Sequence, residues 1–302
     1  MKLAFFNDYR LGVVNGDSIV DVSSLVQDIP HVGPGDLMTR LIERFDQYRP
    51  RIEQASKGAG VPLDSVRLRP PAPKPGKMVG MVANYLEHGA RTHPSPINAF
   101  LKSPSAVIGD GDTIVMTDAP ATIFHHEAEV ALVIGKTAKN ITEAQVAEHI
   151  FGYMNFCDAS ARNLGPPGSD TYFTVKSPHT FAPMGPYLVT REEIANHQDI
   201  HMRLWVDGTL RHDYSTSDMG YTIDHTIAWI SSITTLNVGD VVSLGTNHQE
   251  IGPIQDGEHV EMEGEGLGRL HFNISDRLKR KWPVGIDHEM ADRVAGRTRA
   301  AS

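Results

Sequence analysis

Cysteine is all but missing: among 302 residues, Cys157 stands alone. One thiol excludes an internal disulfide and any multi-cysteine zinc site, so a bound metal would have to be held by carboxylate oxygen or imidazole. It also fits a reducing, cytoplasmic setting. No stretch approaches the roughly 18–20 apolar residues of a membrane-spanning helix. The opening Met1-Lys2-Leu3-Ala4-Phe5-Phe6-Asn7-Asp8 meets Asn and Asp before a signal-peptide core builds up. An excess of positive charge is lacking as well: 28 Lys and Arg face 37 Asp and Glu, a net charge of −9. The chain as a whole therefore has no basic footprint for nucleic acid. A Gly-rich phosphate loop and internal repeats are also absent. These absences leave a cytoplasmic protein with a small-molecule partner, and neither nucleic acid nor membrane as partner.

What is present suits a soluble globular chain, with 40% hydrophobic and 22% charged residues. Asn15-Gly16 lies between two β-rich runs and predicts a hairpin turn. Leu37, Met38, Leu41, Ile42, Phe45 and Tyr48 recur at helical spacing and predict one amphipathic helix, with Asp36 as N-cap. Pro70, Pro71, Pro73 and Pro75 forbid continuous structure between Pro62 and Lys77. That punctuation divides the chain into a small N-terminal domain (1–70), a larger domain (71–285) and a polar, helical or frayed tail (286–302). Beyond the prolines, apolar runs predict strands at Lys77–Val82, Thr113–Met116, Glu127–Ile134, Phe151–Cys157, His201–Val206, Val241–Leu244 and Leu270–Ile274. Helices are expected at Thr142–Ile150, opened by a Thr142/Gln145 capping box, and at Thr222–Leu236, with Ile223, Ile227, Ile230 and Ile233 on one stripe. Strands outnumber helices, so the class is α+β, mainly β.

The sharpest chemical feature is Phe124-His125-His126-Glu127-Ala128-Glu129, running into the apolar Val130–Ile134. Two carboxylates two residues apart on a strand face the same way. On a solvated strand they would make an ordinary polar face. On a covered strand they would repel each other unless a cation neutralised them. A hard divalent ion with oxygen ligands does so, and Asp158, after the apolar strand ending at Cys157, offers a third oxygen. Cys157 itself has no evident paired base and reads as a small buried residue.

Several motifs in order resemble the fumarylacetoacetate hydrolase family over roughly Pro70 to Arg280, in its acylpyruvase and 2-hydroxyhepta-2,4-diene-1,7-dioate isomerase branch. They include Lys77-Met78-Val79 leading to Asn84-Tyr85 and His88, Phe100-Leu101-Lys102, Glu127-x-Glu129, Cys157-Asp158-Ala159-Ser160-Ala161-Arg162 and Lys176-Ser177. Thr216-Ser217-Asp218-Met219, Gly245-Thr246 and Gly264-Glu265-Gly266-Leu267-Gly268 follow. The resemblance implies a mixed β-roll catalytic domain, usually a homodimer, with Glu127, Glu129 and Asp158 holding Mg²⁺ or Mn²⁺. It further implies that Arg162, Lys176 and Thr246 face the substrate, joined by Tyr85, while His88 and Lys176 serve catalysis.

Two departures stand out. Relatives commonly carry a glutamate three residues after the lid histidine, and here that position is Arg91, which removes the carboxylate that would orient His88. Glu87 is adjacent, but on an extended segment it would point away from His88; His93, His125 and His126 are other candidate bases. After Gly245-Thr246, relatives continue with Pro and a Gly-Val-Gly turn, whereas Asn247 and His248 stand here and offer additional substrate contacts. His179 also replaces a family aspartate. The expected activity is metal-dependent hydrolysis of a C–C bond in a 2-oxo or 2,4-dioxo acid or related β-dicarbonyl. Isomerisation, decarboxylation or hydration through the same enolate is the alternative, and a silent ligand-binding relative is the rival outside enzymes.

Overall fold

A computed structural model describes residues 1–166 and 168–297. Strands predominate over helices, and the main sheet runs through the whole molecule. Its path is Val61–Pro62, Ser18–Asp21, Arg10–Asn15, Lys2–Phe6, Ala182–Thr190, Ile150–Cys157, Ala128–Ile134, Val241–Ser243, Met78–Met81 and Ala99–Lys102. Residues 1–70 extend this sheet rather than standing beside it, because Lys2 and Leu3 pair with Val189 and Leu188. A five-stranded sheet runs Thr209–Ser215, His201–Val206, His259–Gly264, Gly268–Ser275 and Thr113–Val115. A short ribbon pairs Ile123–His125 with Ser160–Arg162.

The central strand Ala128–Ile134 is buried at every residue, flanked by Ile150–Cys157 and Val241–Ser243. A continuous apolar run is what a strand covered on both faces requires. In His201–Val206 the alternation instead buries Met202, Leu204 and Val206 and turns His201, Arg203 and Trp205 outward.

The structure departs from the sequence expectations in several places. The hairpin closes on an Asn15–Ser18 pair, so Gly16 and Asp17 make the turn, and Gly16 takes the left-handed φ of 54°. The single amphipathic helix is two, Pro34–Glu43 and Phe45–Ala55, broken at Arg44. Gly33 is the first helix's N-cap; Asp36 lies in its first turn, where its carboxylate accepts from Val32 N–H and pairs with Arg40. Of the Thr142–Ile150 segment, the Thr142/Gln145 box caps a 3₁₀ turn, Val146–His149 is helical and Ile150 already begins a strand. In the helix Ile223–Ile233, Ile223, Ile227 and Ile230 are buried, but Ile233 in the last turn is 67% exposed.

The strand Ala182–Thr190 carries no strand signal because Pro183, Gly185 and Pro186 interrupt it, yet it joins the N-terminal strands to the rest of the sheet. The tail contributes the helix His288–Val294, and residues 298–302 of the expected tail lie outside the described residues.

Candidate metal centre and active-site cavity

Antiparallel pairing of Ala128 with Cys157 sets Glu127 and Asp158 side by side, and Asp158 N–H donates to the Glu127 carbonyl at 2.9 Å. Glu129, two residues along, completes a buried triad whose ligand oxygens lie within 4.8 Å of one another. The solvated-face alternative is thereby excluded.

Cations surround two of the three carboxylates. Lys176 Nζ donates to Glu127 Oε2 at 2.6 Å and to Asp158 Oδ2 at 2.5 Å, Lys102 Nζ donates to Asp158 Oδ1 at 2.5 Å, and Arg162 and Ser160 donate to Glu127 Oε1. Burial works to raise the Glu127 carboxyl, but Lys176 and Arg162 outweigh it and hold the group well below the usual carboxylate range. Burial likewise works to lower Lys176, and Asp158 and Glu127 reverse it, so that ammonium titrates above its ordinary value. Lys102 goes the other way, lowered by burial despite Asp158.

Glu129 is different. It accepts from the Ser243 hydroxyl and from Gly245 N–H at 3.0 Å, and among the described residues no Lys or Arg pairs with it. Gly245 makes its bond from a φ of 88°, which a residue with a Cβ rarely adopts. Burial first, then the neighbouring Asp158 and Glu127 charges, push Glu129 well above the ordinary carboxyl value. A divalent cation among the three oxygens would reverse this, and a hard, all-oxygen set fits Mg²⁺ or Mn²⁺.

Glu127 and Glu129 of the triad open into a cavity of about 150 Å³ lined also by Arg162, Lys176, Thr246, His248 and Arg293. His248 comes from the loop after Gly245-Thr246. Its backbone N–H donates to Glu87 Oε2 at 2.6 Å, and its Nδ1 lies 2.9 Å from Glu87 Oε1. Glu87 is buried and reaches His248 because Glu87 and His88 both adopt left-handed backbone, φ 59° and 52°. The segment is therefore not extended, and the carboxylate expected to point uselessly away is turned inward.

The same turn leaves the His88 side chain exposed and outside the cavity lining; its backbone N–H donates to Asp218. Tyr85 is also outside the lining, fully buried edge-on against Tyr214 with ring centroids 5.1 Å apart. Asn247 braces the loop, donating to Asp218 at 2.7 Å and accepting from Gln249 N–H. His93 is exposed, and His126 is buried with neither ring nitrogen bonded among the described residues. His125 is held on both sides: Arg162 Nε donates to its Nδ1 at 3.1 Å, and its Nε2 lies 2.9 Å from Asp287. A guanidinium only donates, so the His125 lone pair is occupied and the ring orients Arg162 rather than accepting a proton. Cys157 is buried, with its thiol pushed up to about 12 by that burial. Lys102, Glu87, Asp287 and Arg293 carry no site signal of their own in the sequence; only the motif around Lys102 points toward the site.

Residues 77–275 match the model of the fumarylacetoacetate (FAA) hydrolase C-terminal domain. The chain belongs to the fumarylacetoacetate hydrolase family. A maleylpyruvate hydrolase of Aquipseudomonas alcaligenes is 32% identical over 291 residues, covering 91% of this chain and 99% of its own. The crystal structure of a maleylpyruvate hydrolase from Sphingobium sp. SYK-6, in complex with manganese(II) ion and pyruvate, superposes with a TM-score of 0.82 at 33% identity, over 91% of this chain and 99% of that one. A bifunctional isomerase/decarboxylase of 4-hydroxyphenylacetate degradation from Escherichia coli is 32% identical over 79% of this chain, which spans 55% of that protein. For a member of this hydrolase family, the acidic triad at the ends of two paired strands and the cavity beside it form the candidate reaction centre.

Proposed function

We propose that this chain is a divalent-metal-dependent hydrolase that cleaves a C–C bond in a 2,4-dioxo acid of the acylpyruvate type. The observation that carries the reading is the buried cluster of Glu127, Glu129 and Asp158, of which Glu127 and Glu129 line the same cavity as Lys176, Arg162 and a Glu87-held His248. Likeness to two maleylpyruvate hydrolases, one solved with manganese and pyruvate, supports it.

Glu127, Glu129 and Asp158 would hold Mg²⁺ or Mn²⁺, which when bound polarises the 2-oxo acid's carbonyl and spreads the charge of the departing enolate. Glu87 accepts from His248 Nδ1–H, so Nε2 keeps its lone pair as the general base, and this role passes from His88 to His248. Water gives a proton to His248 Nε2 while its oxygen bonds to the C4 carbonyl carbon. The C3–C4 bond then breaks with its electron pair moving to C3, and the imidazolium proton returns to C3. The products are pyruvate and a free carboxylic acid, with one water consumed. Lys176 stabilises oxyanion charge, and Arg162, held by His125, faces the substrate carboxylate. A cytoplasmic homodimer with a catalytic unit at 71–285 belongs to the same reading.

Proton NMR with a panel of acylpyruvates and unsaturated 2-oxo dicarboxylates tests it. Pyruvate plus a free acid, lost with chelator, is expected; a rearranged or decarboxylated product would move the enzyme to isomerase or decarboxylase chemistry, and chelator-insensitive turnover would overturn the metal role.

A further inference from the structure

The family match ends at 275, yet the chain beyond it returns to the cavity. Asp276, fully buried, is gripped by Arg280, whose Nη atoms also reach the Ala119 and Thr117 carbonyls. Trp282 packs edge-on against Phe124 at 5.7 Å. These contacts steer the tail to Asp287, whose Oδ1 caps the helix His288–Val294 through Met290 N–H at 3.0 Å and whose Oδ2 holds His125. The helix is tied at two further points. Gln249, next to His248, donates to the Ala291 carbonyl at 3.3 Å, and Arg91 Nη1 donates to the Val294 carbonyl at 2.6 Å. Arg91, standing where relatives carry a lid glutamate, thus fastens the tail at a helix end whose carbonyls favour a cation.

The secured helix contributes Met290, Arg293 and Val294 to the cavity wall. Of the three cations in the lining, Lys176 is engaged by Glu127 and Asp158, and Arg162 by Glu127. Arg293 has no carboxylate within ion-pair distance among the described residues; its side-chain hydrogen bond runs from Nη2 to Met290 Sδ, a weak acceptor, at 2.9 Å. A guanidinium fork at the wall of a cavity matches a carboxylate bidentately.

We propose that Arg293 is a specificity-determining residue that binds the distal carboxylate of a dicarboxylic substrate whose 2-oxo acid end lies at the acidic triad. The inference rests on the proposed function for the placing of the 2-oxo acid end. It assigns the choice among acyl groups to a helix beyond the part of the chain that matches the family model.

The test compares wild type, Arg293→Met and Arg293→Lys, each loaded with Mn²⁺, on two acylpyruvates of equal length, one ending in a carboxylate and one in a methyl group. Wild type should prefer the carboxylate-ended substrate, and in Arg293→Met the ratio of the two kcat/KM values should fall about 10- to 100-fold, chiefly through KM. Arg293→Lys should restore part of the preference, since it keeps the charge and loses the fork. Calorimetric titration with the uncleaved pair 2-oxoadipate and 2-oxohexanoate gives a readout independent of turnover, in which the variant should lose the discrimination. A wild type without preference, or a preference surviving in Arg293→Met, overturns the proposal. Binding of 2-oxohexanoate that ignores chelator counts against the proposed function instead, while discrimination lost with Arg293 under those conditions still supports the role of Arg293.

Discussion

One end of the cavity is built on regular structure and the other on loops. Glu129 lies within a fully buried strand, Asp158 directly follows a second, Lys102 ends a third and Lys176 ends the helix Tyr172–Lys176. Glu87 sits in left-handed turn backbone, His248 in the loop after Gly245, and Arg293 on a seven-residue helix held by Asp287, Gln249 and Arg91. Strand-borne groups keep their mutual distances through backbone ladders, which suits charges that must converge on one ion. Loop-borne groups depend on a few side-chain bonds, so exchanging those bonds changes which residue does the work while the metal end stays as it is. Glu87 shows such a dependence: with Arg91 standing where the family resemblance leads one to expect a glutamate, Glu87, four residues earlier, supplies a carboxylate to a different histidine, His248.

The strand-built end should give the largest losses. Glu129→Gln should lower metal-dependent turnover by at least about 10²–10³-fold. Because burial and two carboxylates disfavour its charge, the variant's metal-free form should be no less stable than wild type. Steady-state kinetics and urea unfolding with chelator check both halves; a metal-free form that unfolds more readily would contradict the electrostatics given for the triad. Next comes the loop-built end: His248→Asn should reduce kcat by about 10²–10⁴-fold, whereas exposed His88→Asn should change it less than about threefold. The reverse order would return the base to His88.

His212 is buried behind Thr246, with Nδ1 3.4 Å from Thr246 Oγ1 and its ring 4.7 Å from His126. Burial lowers it from 6.5 to about 3. Between those values the unfolded chain binds a proton that the folded chain refuses. Stability is therefore complete above pH 6.5 and lost as pH falls toward 3. From pH 6.5 to pH 5, urea unfolding should show a loss of about 2 kcal/mol from this group, and His212→Gln should flatten that slope. The smallest effect is expected from Cys157→Ser, whose thiol at about 12 is inert at neutral pH. Activity should change less than about twofold, and a larger loss in a folded variant would give the thiol a role in the strand-built end.

Legibility in the sequence follows the same division. His201–Val206 is legible residue for residue because its alternation is local, and Ala128–Ile134 because an uninterrupted apolar run needs cover on both faces, although the expected strand starts one residue early, at Glu127. Ala182–Thr190 was hidden by its prolines and glycine, whose missing donors and flexibility argue against a central strand until neighbouring strands are present. The break at Arg44 escaped because apolar spacing runs on across it. Glu87 points away from its neighbour only on an extended segment, and the left-handed φ values of Glu87 and His88, which no local pattern announces, turn it inward. Arg293 stood in a polar tail with no apolar pattern to place it.

The sequence by itself determined the spacing of the carboxylate pair: two residues apart along a strand, Glu127 and Glu129 face the same way, while the choice between a solvated face and a cation-neutralised pair waited for their burial beside Asp158. Which histidine of the cavity wall meets a carboxylate, and which arginine there has none within ion-pair distance among the described residues, only the tertiary structure decided. Glu87 and His248 are 161 residues apart, and Arg91 and Val294 are 203 apart. Bonds over such separations arise from the packing of loops against a finished sheet, and nothing in the local chemistry of either partner specifies the other.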